Sequence, residues 1–269
     1  MSNSDQQQFY SAGVAFSSDE LRLVIADDAG KQLSVRTAGI EPESAIANQI
    51  HELLIENDAG FDSLGIALPG LIETKTQKVV GSRMTELAGI DVVADLSEIV
   101  DGRIVIENDA NAAAFAEFIA GAGGGTRDLM FVFVGEGIGS GLILDGKIWR
   151  GSSGFAGEIG SIVVDEEGTR LEDVASIPNI VRRTKSRFHQ DSTSILNKTP
   201  ESKITFADIL DAAAKEDDLA QLMIERTGIY IGSAIGAVLN ILNIETVVIG
   251  GAITDADGVM LGAISRQAE

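Results

Sequence analysis

"VIENDANAAAFAE", residues 105–117, runs from β-branched apolar letters through two asparagines and an aspartate into a run of alanines. β-branched residues favour a strand and alanine favours a helix. The stretch therefore predicts a strand, "RIVIE", that hands over to a helix starting near Ala110 and closed by the glycines of "GAGGG". An earlier stretch, "IENDAG" at 55–60, repeats five of the six letters of 106–111. It ends a helical pattern in which Ile46, Ile50, Leu53 and Leu54 share one face and Gly60 is the stop signal. Context separates the two copies. Only the second lies where a strand meets a helix start, the place where open α/β sheets gather ligands and where backbone N–H groups are unpaired.

Working outward, alternating apolar runs predict strands at 10–16, 21–27 and 33–37, joined by turn-like "SSDE" and "DDAGK" into an antiparallel meander. A strand "LGIALPG", a charged hairpin-like stretch and a short amphipathic helix in "DVVADLSEIV" lead to "RIVIE". After "DLMFVFVG" the opening pattern returns more loosely. "VAFSSDELRLVIADDAGKQL" and "VFVGEGIGSGLILDGKIW" each read as strand, tight loop, strand, Asp/Gly/Lys turn, strand. Two related α/β halves are expected, 1–120 and 121–269. In the second, 217–243 is helical, with Gly228, Gly232 and Gly236 on one side for close packing. Its apolar stretch is too short for a bilayer, so core burial is expected. A buried strand "TVVIGGA" and a last helix follow.

Forty-one acidic against twenty basic residues give a formal charge of −21, which repels nucleic-acid backbones and anionic lipid. No DNA contact from this segment and no membrane partner are expected. The basic cluster "RRTKSR" at 182–187 reads as cations near a helix end rather than a phosphate patch. With no cysteine and only His51 and His189 as imidazoles, disulfides and thiolate sites are excluded and no metal is expected. The amino terminus "MSNSDQQQ" has neither the charged nor the apolar region of a signal peptide, so a cytoplasmic protein is expected.

Three groups could carry chemistry. Asp109, at the end of a buried strand, could take a proton from a substrate hydroxyl, with Asn108 and Asn111 beside it; equally, Asn108 and Asp109 could cap the alanine helix. In "GEGIGSG", Gly135, Gly137, Gly139 and Gly141 bare alternate backbone amides, as phosphate cradles do, but plain hairpins share this pattern and Glu136 sits inside it. Gly250 and Gly251 of "GGA" are a second place for close backbone approach. Glu158 in "RGSSGFAGEIGS" is a carboxylate in a nearly uncharged, glycine-rich setting; it either hydrogen-bonds a ligand such as a polyol or serves the protein alone.

"VIENDANAAAFAE", "GEGIGSGLILDGKIWRG", "GFAGEIGSIVVD" and "ETVVIGGAI", in this order, resemble the ROK family of sugar kinases and sugar-responsive repressors, from about Gly13 onward. The resemblance implies an actin-like ATPase fold, the duplicated, two-lobed α/β architecture of the ribonuclease H-like class, with the ligand cleft between lobes. It implies that Asp109 is the base in a kinase, and that Asn108, Asp109, Glu158 and Glu172 are sugar ligands. A homodimer is implied as well.

Three departures bear on the branch. Family kinases start with a strand ending in Asp and then Gly-Gly-Thr; the letters here are Ala15, Ser17, Ser18 and Asp19. Their second phosphate loop carries Thr where this chain has Glu136, and two like charges about 4 Å apart repel by roughly 4 kcal/mol at an intermediate dielectric. The zinc motif is absent, with Ser161 at the His position and no cysteine before Glu172. The expectation is the sugar-binding domain of a NagC/XylR-type regulator with degenerate ATP loops. Its ligand would be a sugar or sugar phosphate, with no cofactor and with DNA reached only through a helix-turn-helix that these residues lack. The alternative is a glucokinase-like, ATP- and magnesium-dependent hexose kinase. The carboxyl end reads as short of the family's final elements.

Overall fold

The computed structural model describes residues 10–16, 19–41, 44–55, 61–82, 84, 87 and 90–269, and the chain packs as two compact units. The first comprises 1–112 with 150–156, the second 113–149 with 157–269. The division thus falls inside the alanine helix, not after it at 120, and is not a single cut. Ala113, Ala114 and Phe118 pack with Leu129, Phe131 and Ile143, which draws the body of the helix into the second unit.

In the first unit β1 (Tyr10–Phe16), β2 (Glu20–Asp27) and β3 (Gln32–Gly39) form an antiparallel meander. Helix α1 (Ile46–Ile55) leads to β4 (Ser63–Leu68), parallel to β1. The hairpin of β5 (Leu71–Glu73) and β6 (Lys78–Gly81) and the helix α2 (Val92–Ser97) precede β7 (Arg103–Asn108), parallel to β4, giving the order β3-β2-β1-β4-β7. The period-2 pattern sends Leu21, Leu23 and Ile25 to one face, where they join Ile46, Ile50, Leu53 and Leu54 of α1 in a single core. Asp91 caps α2 by accepting from the Ala94 N–H, and this bond, with Lys78 beside it, holds its carboxyl below the usual range. Helix α1 stops at Ile55; the rest of the first "IENDAG" copy, Gly60 included, lies outside the described residues.

The second unit takes most of α3 (Asp109–Ala120), then β8 (Leu129–Val134), β9 (Ile138–Leu144) and β10 (Lys147–Ile148), again an antiparallel meander. Helices α4 (Leu171–Ala175), α5 (Ile177–Phe188), α6 (Phe206–Ala214) and α7 (Asp218–Leu242) precede β11 (Thr246–Gly250), parallel to β8, and α8 (Asp257–Ala268). The order β10-β9-β8-β11 repeats β3-β2-β1-β4, so the two halves share a topology. Helix α7 is long and apolar enough to cross a membrane, yet Leu219, Met223, Ile224, Ile231 and Ile235 belong to the core of this unit. The strand β11 differs from expectation: all five of its residues are half-buried. It has β8 on one side and, among the described residues, no strand on the other, where the first unit carries β7.

Candidate functional site

At the carboxyl end of β7 the backbone turns directly into α3, and Asn108 closes the turn with both ends of its amide. Its Oδ1 accepts from the Asn111 N–H at 3.0 Å, a cap of the helix, while its Nδ2 donates to the Gly70 carbonyl at 3.0 Å. The adjacent Asp109 accepts from the Ala110 N–H through Oδ1 at 2.9 Å. The helix-capping role is thus present in the geometry at Asn108, whereas Asp109 is the first residue of the helix itself. The turn also rests on two residues that sequence reading left out. Glu107 Oε1 accepts from Asn111 Nδ2 and Asn108 N, and Oε2 accepts from Arg150 Nε at 2.8 Å and from Arg150 Nη2. The signal in the sequence was faint: an acid inside a strand and an arginine just before the "GSSG" run.

In the second unit Glu158 precedes a 3-10 turn, Ile159–Ser161. It lines a cavity of about 250 Å³ whose other walls include Met130, Leu142, Ile162, Val238 and Ile241. Gly157 before it has φ +91° and a Cβ there would lie 2.2 Å from the Ser140 carbonyl oxygen, so only glycine lets the loop seat against β9. Glu172, in the first turn of α4, uses Oε2 to accept from the Ile138 N–H at 3.0 Å, at the start of β9. The same oxygen is 3.4 Å from where a Cβ on Gly160 would stand, so the Glu158 and Glu172 segments adjoin.

The candidate phosphate glycines fall into one neighbourhood of this unit. Gly139 pairs with Phe133 across β8 and β9, a Cβ on Gly135 would lie 2.8 Å from the Phe133 ring, and one on Gly251 would lie 2.4 Å from the Val134 carbonyl. Gly250 is held equally close by the Phe131 ring. All of this is at the carboxyl ends of the parallel pair β8 and β11. The "GEGIG" loop is folded on itself: Gly135 donates its N–H to the Gly137 carbonyl at 2.9 Å, and its own carbonyl accepts from Ile177 N–H. Glu136 is exposed there.

The residues present do not fit zinc. The chain has no cysteine, His51 lies on α1, and His189 Nε2 is 3.0 Å from Glu201 Oε2. Among the described residues no group of three His, Asp or Glu is arranged to hold a metal ion. Ala15 lies one residue before the end of β1, and Glu136 is exposed in the glycine loop of the second unit.

Comparison with known proteins agrees in family and divides in activity. The model of the ROK family matches residues 11–269. The chain is 31% identical over 217 residues to the glucokinase of Halalkalibacterium halodurans, covering 77% of this chain and 66% of that protein. It is 26% identical over 269 residues to the xylose repressor of Bacillus spizizenii, covering 96% and 68%. A crystal structure of a ROK family transcriptional regulator, a homolog of the E. coli MLC protein, superposes with a TM-score of 0.85 at 25% identity, over 97% of this chain and 69% of that one. The chain spans about two thirds of the length of these relatives.

Proposed function

The chain belongs to the ROK family and has its actin-like α/β fold, and from that premise we propose that it is the sugar-binding effector domain of a transcriptional regulator. The ligand is a sugar or sugar phosphate, and the candidate sugar ligands are Asn108 and Asp109 in the first unit and Glu158 and Glu172 in the second. DNA is contacted through a helix-turn-helix and not through this acidic segment. The observation that carries the reading is the "GEGIG" loop, where the Gly135 N–H is spent on the Gly137 carbonyl and Glu136 is exposed beside it. Gripping a sugar needs hydrogen-bonding amides and carboxylates. Phosphoryl transfer needs, in addition, donors and a cation around a triphosphate.

A second reading, an ATP-dependent hexose kinase, is favoured by the similarity to a glucokinase and by Asp109 at the end of a parallel strand. Titration calorimetry against glucose, N-acetylglucosamine and xylose, with and without ATP and magnesium, separates the two. A receptor binds one of these sugars with an affinity that ATP leaves unchanged and forms no sugar phosphate. Phosphorylation at a turnover of about 1 per second or more would overturn it, and Asp109→Asn should then abolish turnover while sparing sugar affinity.

A further inference from the structure

Glu107 is a hub. Its side chain is 18% exposed, and its two oxygens receive four hydrogen bonds, from Arg150 Nε and Nη2, Asn111 Nδ2 and Asn108 N. Those bonds come from two directions. Asn108 and Asn111 belong to the turn that carries Asp109, whereas Arg150 opens the short segment 150–156 that returns to the first unit. That segment is itself pinned. The Ala156 N–H donates to the Arg150 carbonyl, and the Thr74 N–H donates to the Ser153 carbonyl at 3.0 Å. Gly154, at φ +105°, sits where a Cβ would lie 2.2 Å from the Ile72 carbonyl oxygen. Asn111, 2% exposed, has Nδ2 on Glu107 and its Oδ1 buried with no protein partner. Its orientation therefore depends on the Glu107 bond.

We infer that the Glu107–Arg150 ion pair positions the Asn108–Asp109 turn for ligand binding, with Arg150 fixing Glu107 and Glu107 fixing Asn108 and Asn111. The inference rests on the reading of this turn as sugar-binding. Its physical basis is preorganisation. A planar guanidinium donating twice to one carboxylate oxygen restricts the rotamer of the glutamate far more than a single ammonium can. A carboxylate so held presents its second oxygen at a fixed place to Asn111 Nδ2 and Asn108 N. A ligand meeting Asn108 and Asp109 then finds them already ordered, and their ordering entropy is not taken from its affinity. Glu107 and Arg150 touch no ligand in this scheme. They are positioning residues.

The test uses Glu107→Gln, Arg150→Lys, Arg150→Gln and the double variant Glu107→Gln/Arg150→Gln, each assayed well below its melting temperature. Three quantities are read: sugar affinity by calorimetry over the panel above, amide hydrogen exchange of residues 108–112, and thermal melting. Glu107→Gln and Arg150→Gln should each weaken sugar binding tenfold or more and speed exchange of the Asn111 amide. Arg150→Lys should recover part of the affinity, and the double variant should be no weaker than the worse single one, because both act through one chain of contacts. A merely structural pair would lower the melting temperature and leave affinity and exchange of the folded protein as in the wild type; that result overturns the inference. If the wild type binds none of the sugars, the receptor reading fails, and exchange alone decides the positioning claim: faster exchange at Asn111 in the variants supports it and unchanged exchange overturns it.

Discussion

Arg183 occupies a different environment from the other basic residues of "RRTKSR". Lys185 and Arg187 lie in the last turn of α5, as expected of cations near a helix end. Arg183 turns inward, donating Nη1 to the Val174 carbonyl and, at 3.3 Å, to Thr227 Oγ1, with its guanidinium 5.3 Å from the Tyr230 ring centre. Burial lowers its pKa, the Tyr230 hydroxyl opposes that shift, and the nearby Arg187, Arg226 and Arg182 add to it. The group nevertheless keeps its charge at neutral pH. Lysine at this position has no planar fork and stacks poorly on tyrosine, so Arg183→Lys should destabilise the protein by about 1–2 kcal/mol. A thermal melt checks this; a variant melting with the wild type would show that these contacts have no net weight. The sequence made the cluster visible but not the exception, because Thr227 and Tyr230 come from α7, a helix with no local relation to α5. Glu107 and Arg150 were hidden for the same reason. Asn108 was legible in part, since a side-chain amide just before an alanine run reads as a cap as readily as a ligand contact.

Among the elements, the α7–α8 pair shows what small residues accomplish and where they are dispensable. A Cβ on Gly232 would lie 2.5 Å from the Ile264 carbonyl oxygen, and one on Gly228 would lie 2.7 Å from the Ala263 Cβ. On Gly236 the closest approach is 3.2 Å, to the Ala268 carbonyl. In an open helix, Gly→Ala stabilises by about 1 kcal/mol. Here overpacking, which costs about 1–3 kcal/mol, should outweigh that gain at Gly232 and Gly228 and roughly cancel it at Gly236. Gly262 of α8 is the internal control, because a Cβ there meets only the far end of the long Arg266 side chain at 3.3 Å. Denaturant melts of the four alanine variants should rank Gly262 most stable, then Gly236, then Gly228, with Gly232 least; equal stability of Gly232→Ala and Gly262→Ala would refute the close contact. The spacing of these glycines was readable from the sequence. What they pack against was not, because helical periodicity identifies a face and never its partner.

At the scale of the molecule, the two halves are one design used twice: a three-stranded meander, then a strand parallel to its first. The echo between 14–33 and 132–149 pointed to this, and the shared strand order bears it out. The boundary at 120 was less accessible. Alanine-rich sequence says that a helix forms, but not that its first turn remains with β7 while its body packs on Leu129 and Phe131.

The outer margin of β11 has a colloidal consequence. Among the described residues no strand pairs with this margin, which makes it a place for strand addition, and a second copy of this chain that docks there brings its own negative charge close to this one. At low ionic strength, repulsion at a formal −21 should keep the particles apart. Raising sodium chloride from 0.1 to 1 M shortens the screening length from about 10 to about 3 Å. The particle mass seen by light scattering should then climb with added salt. Dissociation on adding salt would instead mean that charged contacts hold the particles together and that this margin plays no part.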